Sequence, residues 1–392
     1  MSQSEAFQGS TTSSQAVLPR VRFDYLDGLR GLAALYVVLF HIYLDCGQLR
    51  EAVIPQILKI PVRALLSHGS AAVGIFIVLS GYCLMLPVAR SLNGQIKGST
   101  LNFLKRRARR ILPPYYAALV LAILLNLAIP AQLILRMGSH WNSGQPALTS
   151  GAIFSHVLLI HNLNHNWAHR INPPMWSVAL EWQIYFLFPL LLVPIWRRLG
   201  TAVILVVTCL FPLIFPGNEG DSFYVTLFTL GMLGAIIGFY REPSLPFYKE
   251  RLPWGRVSIL FGIIWFVVAV IHPIGTVAKG DLLLGPAVAC WMIECSRSIV
   301  EGKSNLVLRL FELPQAIALG TFSYSLYLTH AMVLAVVELC LSGVSMAPLV
   351  KFSVLVAIVL PLSLLFAYLF HLIFEKPFMS SPAVKALKEK QE

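Results

Sequence analysis

The chain is short of charge. Of its 392 residues, 12% are Asp, Glu, Lys or Arg and 57% are hydrophobic, whereas a soluble domain carries about a quarter charged residues. Too little polar surface exists to coat a water-soluble globule, so lipid is the solvent for much of the molecule. The mean hydropathy of +0.73 agrees. A nucleic-acid module is also missing. The net charge is +12, but the basic residues lie between apolar runs, where they set membrane topology, and no separate basic domain or base-stacking motif is visible. No nucleic-acid partner is expected. The six cysteines lie mostly in apolar runs without zinc-type spacing. They read as small buried hydrophobes, and no metal is expected. The first 20 residues, rich in Ser, Thr and Gln, lack an apolar core of signal-peptide length. Residues 1–22 are expected to be a disordered cytoplasmic tail and 379–392 a cytoplasmic C-terminal tail.

What is present is a series of long apolar runs. A helix needs about 20 apolar residues to cross the hydrocarbon. Ten candidates occur, at 29–46, 69–88, 114–130, 177–195, 200–216, 223–240, 257–273, 282–300, 316–342 and 349–374. The expected fold class is therefore all-α, a polytopic transmembrane bundle of about ten spans. With the N-terminus inside and the sides alternating, the great majority of Lys and Arg fall in inside segments, which places both termini in the cytoplasm. The segment 131–175 then faces outside. It carries His140, His156, His161, His165, His169, Trp141 and Trp167, a composition that suits an ordered rim over the membrane domain. His161, His165 and His169 repeat at helical spacing, yet the interspersed Asn residues weaken a helix, so a polar rim is preferred to a metal site.

Ionisable residues inside spans default to functional hypotheses. The first span holds Arg30 and His41, just over three turns apart, so both lie on one helical face about 16 Å apart. A snorkelling anchor explains Arg30 alone, and a satisfied interhelical contact explains His41 alone; the shared face favours function. The second span carries Ser80, Gly81 and Tyr82, which packing alone also explains. Arg106, Arg107, Arg109 and Arg110 sit at a membrane boundary, in two pairs spaced i, i+3. Guanidinium groups there suit phosphates, or serve as a topology anchor against lipid headgroups. Glu181 in the fourth span needs a partner. The ninth holds Ser323, Tyr324, Ser325, Tyr327 and a second intramembrane histidine, His330. Glu375 closes the tenth at the cytoplasmic interface.

In order, these pieces resemble the membrane-bound acyltransferase-3 family. The resemblance runs from Asp24 to Phe378. It rests on Leu26-Asp27-Gly28-Leu29-Arg30-Gly31 with His41, on Phe76 to Tyr82, and on Arg106-Arg107 with Arg110-Ile111. It continues through Trp176-Ser177 with Glu181 and Tyr185, Ser323-Tyr324-Ser325-Leu326-Tyr327 with His330, and Glu375-Lys376-Pro377. Each piece is weak alone; the ordered set is specific. Family members often have two acidic residues where this chain has Glu181-Trp182, and some carry an extracellular hydrolase-like domain after the last span that is not found here.

The resemblance implies that residues 23–378 are an acyltransferase membrane domain. It implies transfer of an acyl group, usually acetyl, from cytoplasmic acetyl-CoA or another acyl-CoA to a hydroxyl acceptor, usually a carbohydrate. Carried over, His41 is the catalytic residue with Arg30 in the same site, and Arg107 and Arg110 bind the donor. Arg106, Ser80 and Tyr82 are further donor-side candidates, and Glu181 and His330 further catalytic ones. His41 suits general-base work because imidazole titrates near neutrality, with an ordinary pKa of about 6.5; an acyl-histidine intermediate is the mechanistic rival. Ser80, Tyr82 and Ser325 are candidates to stabilise the oxyanion. A multi-pass transporter or exporter of a small molecule or glycan would also suit ten interrupted spans, although no inverted repeat is visible.

Overall fold

The computed structural model describes residues 23–46, 68–91, 93–130, 147–215, 221–240, 252–271, 282–304 and 306–379, plus Leu66, Leu133, Trp141 and Gly217. Both expected tails, apart from Met379, and His140 lie outside the described residues. The described part is helical throughout. Its helices are α1 (Asp24–Asp45), α2 (Gly69–Ala89), α3 (Thr100–Ala128), α4 (Ser150–Val157), α5 (His165–Ala168), α6 (Met175–Leu187) and α7 (Val193–Ile214). There follow α8 (Phe223–Phe239), α9 (Trp254–Ile271), α10 (Leu284–Val300), α11 (Leu306–Phe311), α12 (Pro314–Thr321), α13 (Ser323–Leu341), α14 (Pro348–Phe370) and α15 (Lys376–Met379). Two π-helical turns, Phe188–Leu192 and His371–Glu375, link α6 to α7 and α14 to α15.

Among the described residues, six helical stretches are long and apolar enough to cross a membrane. They account for seven of the ten expected spans, because 177–195 and 200–216 form one stretch, Met175–Ile214, of 40 residues. Gly200 breaks that stretch with a left-handed backbone, φ 86°, which a side chain would disfavour. The apolar helices corresponding to 223–240 and 257–273 are shorter. The remaining helix, α10, carries Glu294 and Arg297. The expected span 316–342 is divided at Phe322 into α12 and α13. Just before the break, Gly320 lies directly against the backbone carbonyl of Asp27. The chain turns there instead of continuing straight. The expected span 114–130 begins earlier, since Ser99 caps α3 by accepting from the Asn102 N–H. The arginine cluster therefore belongs to the same helix as the apolar run.

Lipid solvates much of the outside. Leu124, Leu127, Val206, Leu213, Ile259 and Phe366 are exposed, as apolar side chains facing hydrocarbon must be. Inside, small residues bring helices together. Gly81 of α2 meets the Phe228 carbonyl of α8, and Gly231 of α8 meets the Val78 carbonyl of α2. A methyl group at either position would collide with backbone. A buried hydroxyl chain joins three further elements: the Ser296 hydroxyl of α10 lies 2.9 Å from that of Tyr25 and 2.5 Å from that of Tyr82.

The described part of the segment between α3 and α6, residues 147–174, is tied to the bundle by polar side chains. The amides of Asn162 and Gln183 pair with each other, and Gln183 also donates to the Leu159 carbonyl. Asn172 donates to the Leu328 carbonyl, tying the rim to α13. His156 and His161 are fully buried and stacked, with ring centroids 3.7 Å apart and planes 8° from parallel. Burial holds the His156 imidazole down to about 4 and that of His161 well below its ordinary value. His161 thus stacks on His156 instead of forming a row with His165 and His169.

Candidate active site

A cavity opens among α1, α2, α3, α6, α13 and the π turn that follows α14. It is lined by Arg30, Ser80, Arg107, Arg110, Glu181 and Glu375, with Tyr185, Tyr324 and Tyr327 among the other walls. It encloses about 120 Å³, several times the room a single water needs.

The charged groups come from four different elements. Arg30 of α1 donates to Asp27 at 2.9 Å, one turn back, and to the Cys83 sulfur of α2 at 3.2 Å. Glu181 of α6 accepts from the Ser80 hydroxyl at 3.0 Å and from Tyr185 at 2.5 Å through the same oxygen. Glu375 accepts from Ser325 at 2.6 Å and from His371 Nδ1 at 2.8 Å. The π turn, an irregularity that often marks functional positions, sets this geometry by placing His371 and Glu375 together. Arg107 and Arg110 enter from α3, one turn apart. Arg107 lies 5.9 Å from the Phe103 ring, and its buried Nε meets no protein acceptor. A buried guanidinium donor without an acceptor is costly, and an anionic guest would satisfy it.

His41 and His330 stand apart from this cavity. Neither lines it, yet they meet each other: His330 Nε2 lies 3.1 Å from His41 Nδ1. The hydrogen-bond pattern assigns their tautomers. His330 Nδ1 is 3.1 Å from the Leu326 carbonyl, which only accepts, so that nitrogen carries the proton and Nε2 is the acceptor. His41 Nδ1 therefore donates, to His330 and to the Val37 carbonyl at 2.9 Å. In neutral His41 the basic lone pair is consequently on Nε2.

The two centres are separated by Tyr327. It lines the cavity, and its ring centroid is 6.0 Å from that of His330, one turn further along α13. Arg30 thus belongs to the cavity and His41 to the histidine pair, at opposite ends of one face of α1. Of the other candidates, Ser80, Arg107, Arg110 and Glu181 line the cavity. Arg106 is exposed and reaches only the Lys97 carbonyl, at 3.4 Å. Tyr82 points to Ser296 on the far side of α2. Sequence reasoning left Glu375 at the interface and did not see its contact with His371. The helical i, i+4 spacing of those two residues was the available signal.

The chain is similar to known proteins. The chain is 26% identical over 358 residues to acyltransferase MdmB of Streptomyces mycarofaciens, covering 81% of this chain and 80% of that one. It is 23% identical over 331 residues to O-acetyltransferase OatA of Staphylococcus aureus, covering 78% of this chain and 49% of that one. The chain thus spans most of the first relative and about half the length of the second. No solved structure matches it significantly. The family described as acyltransferase domain matches residues 23–372, nearly the whole described bundle, and the chain belongs to this acyltransferase-3 family as a membrane-embedded acyltransferase.

Proposed function

We propose that the protein transfers an acyl group from cytoplasmic acyl-CoA to a hydroxyl of a carbohydrate or cell-surface polysaccharide precursor, with His41 as general base. The observation that carries this reading is the two-part arrangement: a guanidinium-lined cavity separated by one side chain from a hydrogen-bonded histidine pair. Arg107 and Arg110 hold the phosphates of the donor, because guanidinium groups give charge-assisted, permanently protonated donors. The thioester then extends past Tyr327 toward α1. The acceptor hydroxyl gives its proton to His41 Nε2 as its oxygen bonds to the thioester carbonyl carbon. The carbon–sulfur bond breaks, and the proton passes to the departing CoA thiolate. His330, accepting from His41 Nδ1, orients the ring and favours the imidazolium that forms during the step. Glu181, held by Ser80 and Tyr185, balances the positive charge of the cavity.

The test is acyl transfer by purified protein in lipid nanodiscs supplied with labelled acetyl-CoA. Label moving to a sugar hydroxyl supports the reading. Transport of label without thioester cleavage would identify an exporter instead. Mass spectrometry of surface glycans with and without the gene, seeking a shift of one acyl group, identifies the acceptor.

A further inference from the structure

The cavity and the histidine pair have one side chain between them, and it is fixed on three sides. Tyr327 OH lies 2.6 Å from Ser177 Oγ, which bridges α13 to α6. Its ring packs edge-on against Phe76 of α2, with centroids 5.9 Å apart and planes at 71°. Its far side faces His330. Ser177, Phe76 and Tyr327 all line the cavity, and the Tyr327 ring brings this part of the wall within 6.0 Å of the His330 ring, centroid to centroid. Tyr327 is 7% exposed, and the main-chain carbonyl of the next residue, Leu328, is tied to Asn172 of the rim. The wall is therefore anchored from both the membrane bundle and the loop above it.

This wall has a consequence for the donor. Whatever acyl group is carried into the cavity must bring its carbonyl carbon within reach of His41, and the rest of the acyl chain must then find room beside Tyr327. We propose that Tyr327, held by Ser177 and Phe76, is a specificity-determining residue that admits a two-carbon acyl group and excludes longer chains. The proposal rests on the acyl-CoA reading of the cavity and adds the length of the transferred group. A short acyl end slips past the ring edge with the Tyr327–Ser177 bond intact. A longer chain must displace the ring, breaking that bond and its packing on Phe76.

The experiment uses the full chain in lipid nanodiscs and three donors, acetyl-, butanoyl- and octanoyl-CoA. Thioester cleavage is followed by free-thiol release, and CoA affinity is measured separately. The wild type is expected to favour acetyl-CoA. Tyr327→Ala should raise the octanoyl-to-acetyl ratio of kcat/KM by about tenfold or more, the scale on which a pocket discriminates methylenes, mainly through KM for the long donor. CoA affinity itself should stay within about threefold, since the phosphate end is untouched. Phe76→Ala and Tyr327→Leu, which open the same wall more gently, should move the ratio the same way if Tyr327→Ala is lost from the membrane. An unchanged ratio in a variant that still binds CoA overturns the proposal. So does a wild type that uses octanoyl-CoA as well as acetyl-CoA. A wild type that binds no acyl-CoA overturns the donor reading itself, and the proposal with it.

Discussion

The cavity and the histidine pair are built by opposite means. Besides their mutual contact, each imidazole has a bond within its own helix: His41 to Val37 and His330 to Leu326, each one turn back. Ordinary helix geometry therefore sets the tautomers. In the cavity, each carboxylate adds to a partner four residues away, Tyr185 or His371, a hydroxyl distant in the chain. Ser80 meets Glu181, and Ser325 meets Glu375. The cavity is a product of six elements packing together, while the histidine pair is pre-oriented on two helices.

The sharpest way to break this comparison is His41→Ala. It should lower the rate of acyl transfer by about 10²–10⁴, the range for loss of a general base, with CoA affinity retained. Near-normal turnover would remove His41 from the chemistry and leave the cavity as the only functional centre. Arg107→Ala should do the reverse, weakening CoA binding by about ten- to a hundredfold, as loss of a charge-assisted contact does. Arg106→Ala should leave CoA binding nearly unchanged. Equal losses from the two variants, read by equilibrium binding, would mean that general basicity of α3 matters and the cavity does not.

His330→Ala should cost about tenfold in kcat, the worth of one hydrogen bond to a charged group, and should change the pH–rate profile. His330→Gln keeps an acceptor for His41 Nδ1–H and should recover part of the rate; no recovery would argue that His330 transfers a proton itself. The smallest effect concerns the rim. Burial holds His156 near 4, against 6.5 when exposed. Below 6.5 the unfolded chain takes up a proton that the folded rim refuses. Stability is thus fully present above that pH and is lost as pH falls toward 4, by about 3 kcal/mol at most. Thermal unfolding followed at pH 7 and pH 4.5 should show the fall, and His156→Phe should flatten it.

Much of this was legible because membrane solvation writes itself into composition. Apolar runs located nearly all the membrane helices, since each must satisfy its backbone internally and face lipid. The spacing of Arg30 and His41 placed them on one face, and Arg107 and Arg110 on another, because a helix repeats every 3.6 residues. Other features were not readable. Tyr82 looks like a site residue close to Ser80, yet helical positions two apart point about 200° apart, and Tyr82 turns to Ser296. Glu375 looks interfacial until a π turn brings it to His371 and Ser325. Span 316–342 looks continuous until Asp27 is seen against Gly320.

By itself, then, the sequence determined a lipid-solvated helical bundle and the two polar faces of α1 and α3, since both follow from hydropathy and helical period. Only the tertiary structure decided that Arg30 lines the cavity while His41 does not, which residues share that cavity with Arg107, and that Tyr327 of the cavity wall lies beside His330. Those relations join different helices, as much as 289 residues apart for His41 and His330, and they depend on close backbone approach at glycines such as Gly31 and Gly81. No local pattern in a chain encodes such distances; packing does.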